Sequence, residues 1–217
     1  MTETVPTMPL HVAELLCSRL CHDLISPVAA ISNGLELLGD DAGDMGDDIT
    51  SLLVLSVGQA AGRLTFYRAA YGLGGDSADA LSLNDVSGLV RGLVESDAIA
   101  VDLPAGGDPL GRGPVKLLLN AAALGLETLP KAGRLRVTAT GGGLGGFEID
   151  VRAEGNGVAM RSETVAATAE GADIEALTPR SVQGFLAAWL ARSGGGSFEL
   201  AANGDGAVHF TVRLPAG

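Results

Sequence analysis

Cys17, Cys21, Leu24, Val28, Ile31, Leu35 and Leu38 follow one another at intervals of 4, 3, 4, 3, 4 and 3 residues. That alternation is the a/d seam of helices packed side by side, and it commits the segment from about Leu10 to Leu38 to a bundle helix. The two cysteines fall in this seam and read as small apolar core residues. Pro27 stands inside the same helix, where it removes the N–H that would bond the Asp23 carbonyl and should bend the chain. The acidic, glycine-bearing stretch 39–48 reads as a turn. A second helix is expected over 49–71, with Leu53, Val57, Ala60, Leu64, Tyr67 and Tyr71 on one face and Leu52, Leu55, Gln59, Arg63 and Phe66 on the next. Two antiparallel helices cannot bury that much apolar surface alone. Two such hairpins paired in a homodimer make a four-helix bundle that does.

The glycine-rich run 72–79 is the best boundary, dividing a helical hairpin over 1–76 from a second domain over 77–217. In that second part Ser82, with Asp85 three residues on, predicts a capping box and a helix to about Glu95. A short strand follows over 98–103, then an apolar helix opened by Pro114 and running to about Leu129. Strands are expected over 134–140 and 146–152, an irregular stretch over 154–172, a helix over 179–191, and strands over 197–200 and 207–214. Phe185 and Trp189, four apart, read as helix core against the sheet. The order implies an α/β sandwich with helices layered on one face of a mixed sheet.

Composition narrows the function. With 14 Lys+Arg against 26 Asp+Glu the net charge is -12, which disfavours nucleic-acid backbones and anionic membranes. No unbroken apolar run approaches the length of a membrane span, and the opening residues lack the pattern of a signal peptide, so a cytoplasmic protein is expected. Cys17 and Cys21, with His22 beside them, have no second Cys/His pair downstream, so no metal site is expected. The glycine clusters at 141–146 and 194–196 lack the lysine of a phosphate-binding loop and read as turns.

The segment Cys21-His22-Asp23-Leu24-Ile25-Ser26-Pro27 is the informative one. His22 follows a seam position and therefore points outward. Ser18, Arg19, Ile25 and Ser26 share its face, with Ala29 and Asn33 farther along. Small and polar neighbours let a partner approach the imidazole, and Arg19, Ser26 or Asn33 are placed to meet an anionic group. His11, about three turns earlier, is assigned to a frayed start. His209, alternating with Val208, Phe210 and Val212, should face outward from a strand and receives no role.

His22-Asp23-Leu24 with Pro27 resembles the phospho-acceptor box of histidine kinases, set in their dimerising hairpin. The second domain resembles their Bergerat-type ATP-binding domain. Leu117-Leu118-Leu119-Asn120-Ala121-Ala122 is similar to the helix whose Asn holds the nucleotide's magnesium, and 194–200 with 209–215 to the closing strands. The departures lie in the nucleotide elements. Val151-Arg152-Ala153-Glu154-Gly155-Asn156-Gly157 keeps the glycines but has Ala153 where the adenine-binding Asp is expected. An earlier Asn is replaced by Lys116, and Thr178-Pro179-Arg180-Ser181-Val182-Gln183-Gly184 stands where a Gly-x-Gly is expected.

A kinase-like body without its nucleotide site resembles the dimeric histidine phosphotransferases of cell-cycle phosphorelays. That resemblance implies phosphoryl transfer through His22, from the receiver domain of a CckA-like hybrid histidine kinase to CtrA- and CpdR-like response-regulator receivers. It implies no cofactor on this chain, Mg²⁺ on the partner receiver, and Asn120, Gly155 and Gly157 as remnants. Asp23 is given an orienting role by the resemblance, although adjacent side chains on a helix do not normally face each other. Ser18, Arg19, Ser26, Ala29, Asn33 and Arg63 are the expected docking or phosphate-positioning residues, with Arg19, Arg63 and Arg68 as a cationic patch. Two other readings stay open on sequence: an ATP-dependent histidine kinase with an atypical site, and a non-catalytic receiver-binding protein.

Overall fold

The computed structural model describes residues 7–39, 45–72, 80–94, 96–103, 106, 108–142 and 145–216. The first helix, α1 (Leu10–Gly39), continues through Pro27 and packs antiparallel on α2 (Gly46–Tyr71). Their crossing is close because Gly34 has no side chain: a Cβ there would lie 2.8 Å from Leu53 Cδ2. Pro27 and Gly34 on α1 are buried, as are Ile49, Ser56 and Arg63 on α2. The a/d seam is not this core. Cys17, Cys21, Val28 and Leu35 are exposed, and Leu24 and Ile31 only half-buried, so most of the seam lies outside the contact with the chain's own second helix. The cysteines are therefore not core residues of the single chain. Positions 40–44 of the expected turn and 73–79 of the expected linker lie outside the described residues.

By length and composition alone, α1 and α2 are each long and apolar enough to cross a membrane. Continuous apolar runs do not reveal this, because the polar residues are interspersed. Those residues include Glu14, Arg19, His22, Asp23 and Glu36 on α1 and Arg63 and Arg68 on α2.

Beyond the hairpin come α3 (Leu83–Arg91), β1 (Ile99–Asp102), α4 (Arg112–Glu127), β2 (Gly133–Gly142), β3 (Gly145–Glu154), α5 (Ser162–Thr168), α6 (Val182–Ser193), β4 (Ser197–Gly204) and β5 (Ala207–Leu214). The Ser82–Asp85 capping box is formed in both directions. α3 ends at Arg91 and α4 at Glu127, each earlier than expected. The expected irregular stretch contains α5, whose buried residues Thr164, Ala167 and Thr168 are too small and polar to mark a helix by periodicity.

The five strands are ordered β1-β2-β3-β5-β4, with β1·β2 parallel and the other pairs antiparallel. Strand alternation turns Leu135, Val137, Ile149, Val151, Val208, Phe210 and Val212 into the core, under α4 and α6. The opposite face carries charge pairs such as Arg213 with Glu148 and Glu199. This is the two-layer sandwich that the element order implies.

Two packing features attach the hairpin to the sandwich. Phe66, Tyr67 and Ala70 at the end of α2 join the main core beside α4. Val12 at the start of α1 is buried in a second cluster with Ala167, Leu177, Val182 and Phe185, flanked by Trp189. Phe185 and Trp189 thus face α1 and not the sheet, which α6 meets instead through Ala187 and Ala191.

Candidate functional site

His22 projects from α1 with 88% of its side chain exposed. It stands at the rim of a cleft of about 430 Å³ between α1 and the α/β layer, lined also by Ser18, Arg19, Asp23, Glu127, Arg161 and Arg180. The arginines of the far wall come from the residue before α5 and from the turn before α6. Both are exposed. Local sequence patterns carry no sign of them, because nothing local links those turns to α1.

Asp23 is the most connected residue of the site. Its Oδ1 lies 3.4 Å from His22 Nδ1, so the adjacent side chains do meet. Its Oδ2 accepts a hydrogen bond from the Tyr67 hydroxyl, with Arg19 Nε 3.8 Å away. Burial and that bond push the Tyr67 phenol up, keeping it protonated as a donor. The main-chain carbonyl of Asp23, which Pro27 deprives of its helical donor, accepts from the Arg63 guanidinium. The acceptor that Pro27 leaves free is thus satisfied from the neighbouring helix.

These contacts correct two expectations. Arg63 is 9% exposed and faces the hairpin interior, so it is no docking cation. Arg19, with 17% of its side chain exposed, is ion-paired to Glu127 on α4, and that pair ties α1 to the sandwich. Desolvation raises the Glu127 carboxyl, and the charge of Arg19 opposes it. The expected patch therefore does not form: Arg68 is exposed but does not line the cleft. Ser18, Ser26, Ala29 and Asn33 are exposed as expected, and of these Ser18 alone reaches the cleft.

The residues that the kinase resemblance sets at a nucleotide site are bonded within the protein. Asn120 is fully buried, and its amide donates to the Ala70 and Lys116 carbonyls at 3.2 and 2.8 Å. Its Oδ1 accepts from Gln183 Nε2 at 3.0 Å, while Gln183 Oε1 accepts from the Tyr71 hydroxyl at 2.7 Å. Ala153 is buried in the sheet core. These residues do not fit a magnesium nucleotide: the Asn120 amide is bonded within the protein, and Ala153 offers adenine no acceptor. Gly155 and Gly157, at φ +155° and +76°, shape the turn after β3, where the Gly155 N–H bonds the Gly206 carbonyl.

His11 belongs to the first turn of α1, 3.9 Å from Glu14, and is not frayed. His209 lies on the outer sheet face, with Nε2 2.5 Å from Asp150 Oδ2.

Residues 83–206 match the family model described as a histidine phosphotransferase C-terminal domain. The protein phosphotransferase ChpT of Brucella abortus (strain 2308) is 35% identical over 141 residues, covering 65% of this chain and 66% of that relative. The solved structure of a bacterial phosphotransferase superposes with a TM-score of 0.75 at 27% identity, over 95% of this chain and 98% of that one.

Proposed function

Because the chain belongs to the histidine phosphotransferase family, we propose that it carries a phosphoryl group on His22 between receiver domains of a multistep phosphorelay. The donor is the receiver of a CckA-like hybrid histidine kinase, and the acceptors are CtrA- and CpdR-like response regulators. The observation that carries this reading is His22 itself: exposed at the mouth of a cleft with two cationic residues opposite, and with one ring nitrogen facing a carboxylate.

A neutral imidazole is nucleophilic near pH 7. With Nδ1–H directed at Asp23, the Nε2 lone pair faces outward to an aspartyl phosphate. The N–P bond forms as the acyl P–O bond breaks, and that electron pair returns to the receiver's carboxylate. The ring, still protonated on Nδ1, gains positive charge that Asp23 offsets. Onward transfer reverses these steps on another receiver's aspartate. Such transfer depends on positioning and charge neutralisation. Mg²⁺ would be supplied by the receiver to offset phosphoryl charge, and Arg161 and Arg180 of the cleft wall would meet the receiver's acidic edge. The acidic net charge of the chain then does not oppose docking, since the cleft wall is locally basic.

The chain does this without ATP. The internal bonding of Asn120 and the methyl group of Ala153 support that part of the reading. The testing experiment offers the protein two separate donors, radiolabelled Mg·ATP alone and a prephosphorylated receiver freed of ATP. Acid-labile label is expected from the receiver only. Label from ATP would make the protein a kinase, and label from neither would leave a receiver-binding protein.

The working unit is a homodimer in the cytoplasm. Val28 and Leu35 on α1, and Val54, Val57 and Leu64 on α2, are each at least half exposed. Together they make a patch that isolated monomers seldom carry, and a second hairpin would cover it as a four-helix bundle. Val57→Glu combined with Leu64→Glu is expected to convert the dimer to monomer in sedimentation analysis, and a monomeric wild type would overturn the dimer.

A further inference from the structure

Asp23 is the only described group that faces Nδ1 of His22, yet a surface aspartate on a helix ordinarily samples several rotamers. Here it is held from α2 at two points. Arg63 fixes the main-chain carbonyl, and the Tyr67 hydroxyl engages one carboxylate oxygen, leaving the other for His22. Tyr67 is suited to this because its ring is closely packed. It is 6% exposed, edge-on to Phe66 at 5.8 Å and stacked on Tyr71 at 5.3 Å. Packing alone would be served by phenylalanine, and the hydroxyl is directed at Asp23.

On the reading that His22 carries the phosphoryl group, we propose that Tyr67 is a positioning residue for that reaction. Its hydroxyl locks the Asp23 carboxylate and so sets the His22 tautomer, with the proton on Nδ1 and the lone pair on Nε2. The second helix of the hairpin thus does more than complete the bundle: it determines which imidazole nitrogen meets the receiver. A tautomer held by a neighbouring hydrogen bond is the usual way in which one ring nitrogen is selected. Tyr67 touches no reacting atom and acts only through Asp23.

The test reads the tautomer directly, on unphosphorylated full-length protein with ¹⁵N-labelled histidine. Three histidines contribute signals, and His22 is assigned by its loss in His22→Ala. Wild type is expected to show Nδ1–H at His22. Tyr67→Phe is expected to shift the population towards Nε2–H and to slow acceptance from a prephosphorylated receiver on the order of tenfold, the scale for removing an outer partner of a functional histidine. Tyr71→Phe, which removes the neighbouring hydroxyl bonded to Gln183, is expected to leave the tautomer unchanged. An unaltered tautomer in Tyr67→Phe overturns the proposal whatever the rate, and an equal shift in Tyr71→Phe overturns it as a packing effect. If Tyr67→Phe fails to fold, Asp23→Asn tests the same relay and should shift the tautomer in the same direction. The tautomer is measured without a donor. Persistent labelling of His22→Ala would therefore refute the phosphoryl reading while leaving the Tyr67 result to stand or fall separately.

Discussion

His22→Ala is expected to accept no acid-labile label from a phosphorylated receiver, a loss of about 10³-fold or more, the scale on which removing a nucleophile acts. The other histidines cannot replace it. His209 is engaged by Asp150 on the outer sheet face, and His11 belongs to the first turn of α1, away from the cleft. The fold should be untouched, because an 88% exposed side chain contributes little to packing. Sedimentation and circular dichroism of the variant should therefore match wild type while labelling is absent. Residual label in a folded variant would place the phosphoryl group elsewhere.

Gln183→Ala is expected to give the largest loss of stability among polar substitutions, about 3–5 kcal/mol. Gln183 is fully buried where α2, α4 and α6 meet, donating to both the main-chain and side-chain oxygens of Asn120 and accepting from Tyr71. Truncation leaves the fully buried Asn120 side chain without its Gln183 partner, at about 1–3 kcal/mol for each unsatisfied group, removes the acceptor of the Tyr71 hydroxyl, and adds a cavity. The single Trp189 lies on the same helix, so its fluorescence during urea unfolding reports the change. Gln183→Leu, of similar volume, separates the terms: it should retain most of the loss if hydrogen bonding dominates. A shift under about 1 kcal/mol in both variants would show that this network does not hold the hairpin to the sandwich.

That network is also where sequence reading was least informative. Asn120 and Gln183 are far apart in the chain, and only the kinase resemblance singled out Asn120. The fold gives that Asn a different task, bonding the end of α2. Arg63 shows the same limit. Its place on α2 was legible from the period of 3.6, but its partner, the carbonyl that Pro27 leaves free, lies on the other helix. Arg161 and Arg180 reach the cleft only because α5 and α6 pack beside α1. By contrast the Ser82–Asp85 cap and the strand alternation of 134–140 were readable, since each depends on neighbours a few residues away.

By itself the sequence determined the hairpin, the outward direction of His22 on α1 and the mixed two-layer sandwich. These follow from helical and strand periods and from side-chain identity, which act over one or two turns. The tertiary structure alone decided that the a/d seam faces outward, that Arg19 and Arg63 are bonded internally, and that Asp23 is gripped by Tyr67 while Arg161 and Arg180 supply the open positive charge. Such pairings depend on which helices pack together, and close packing of distant segments follows from the summed burial of the whole core and not from any local pattern.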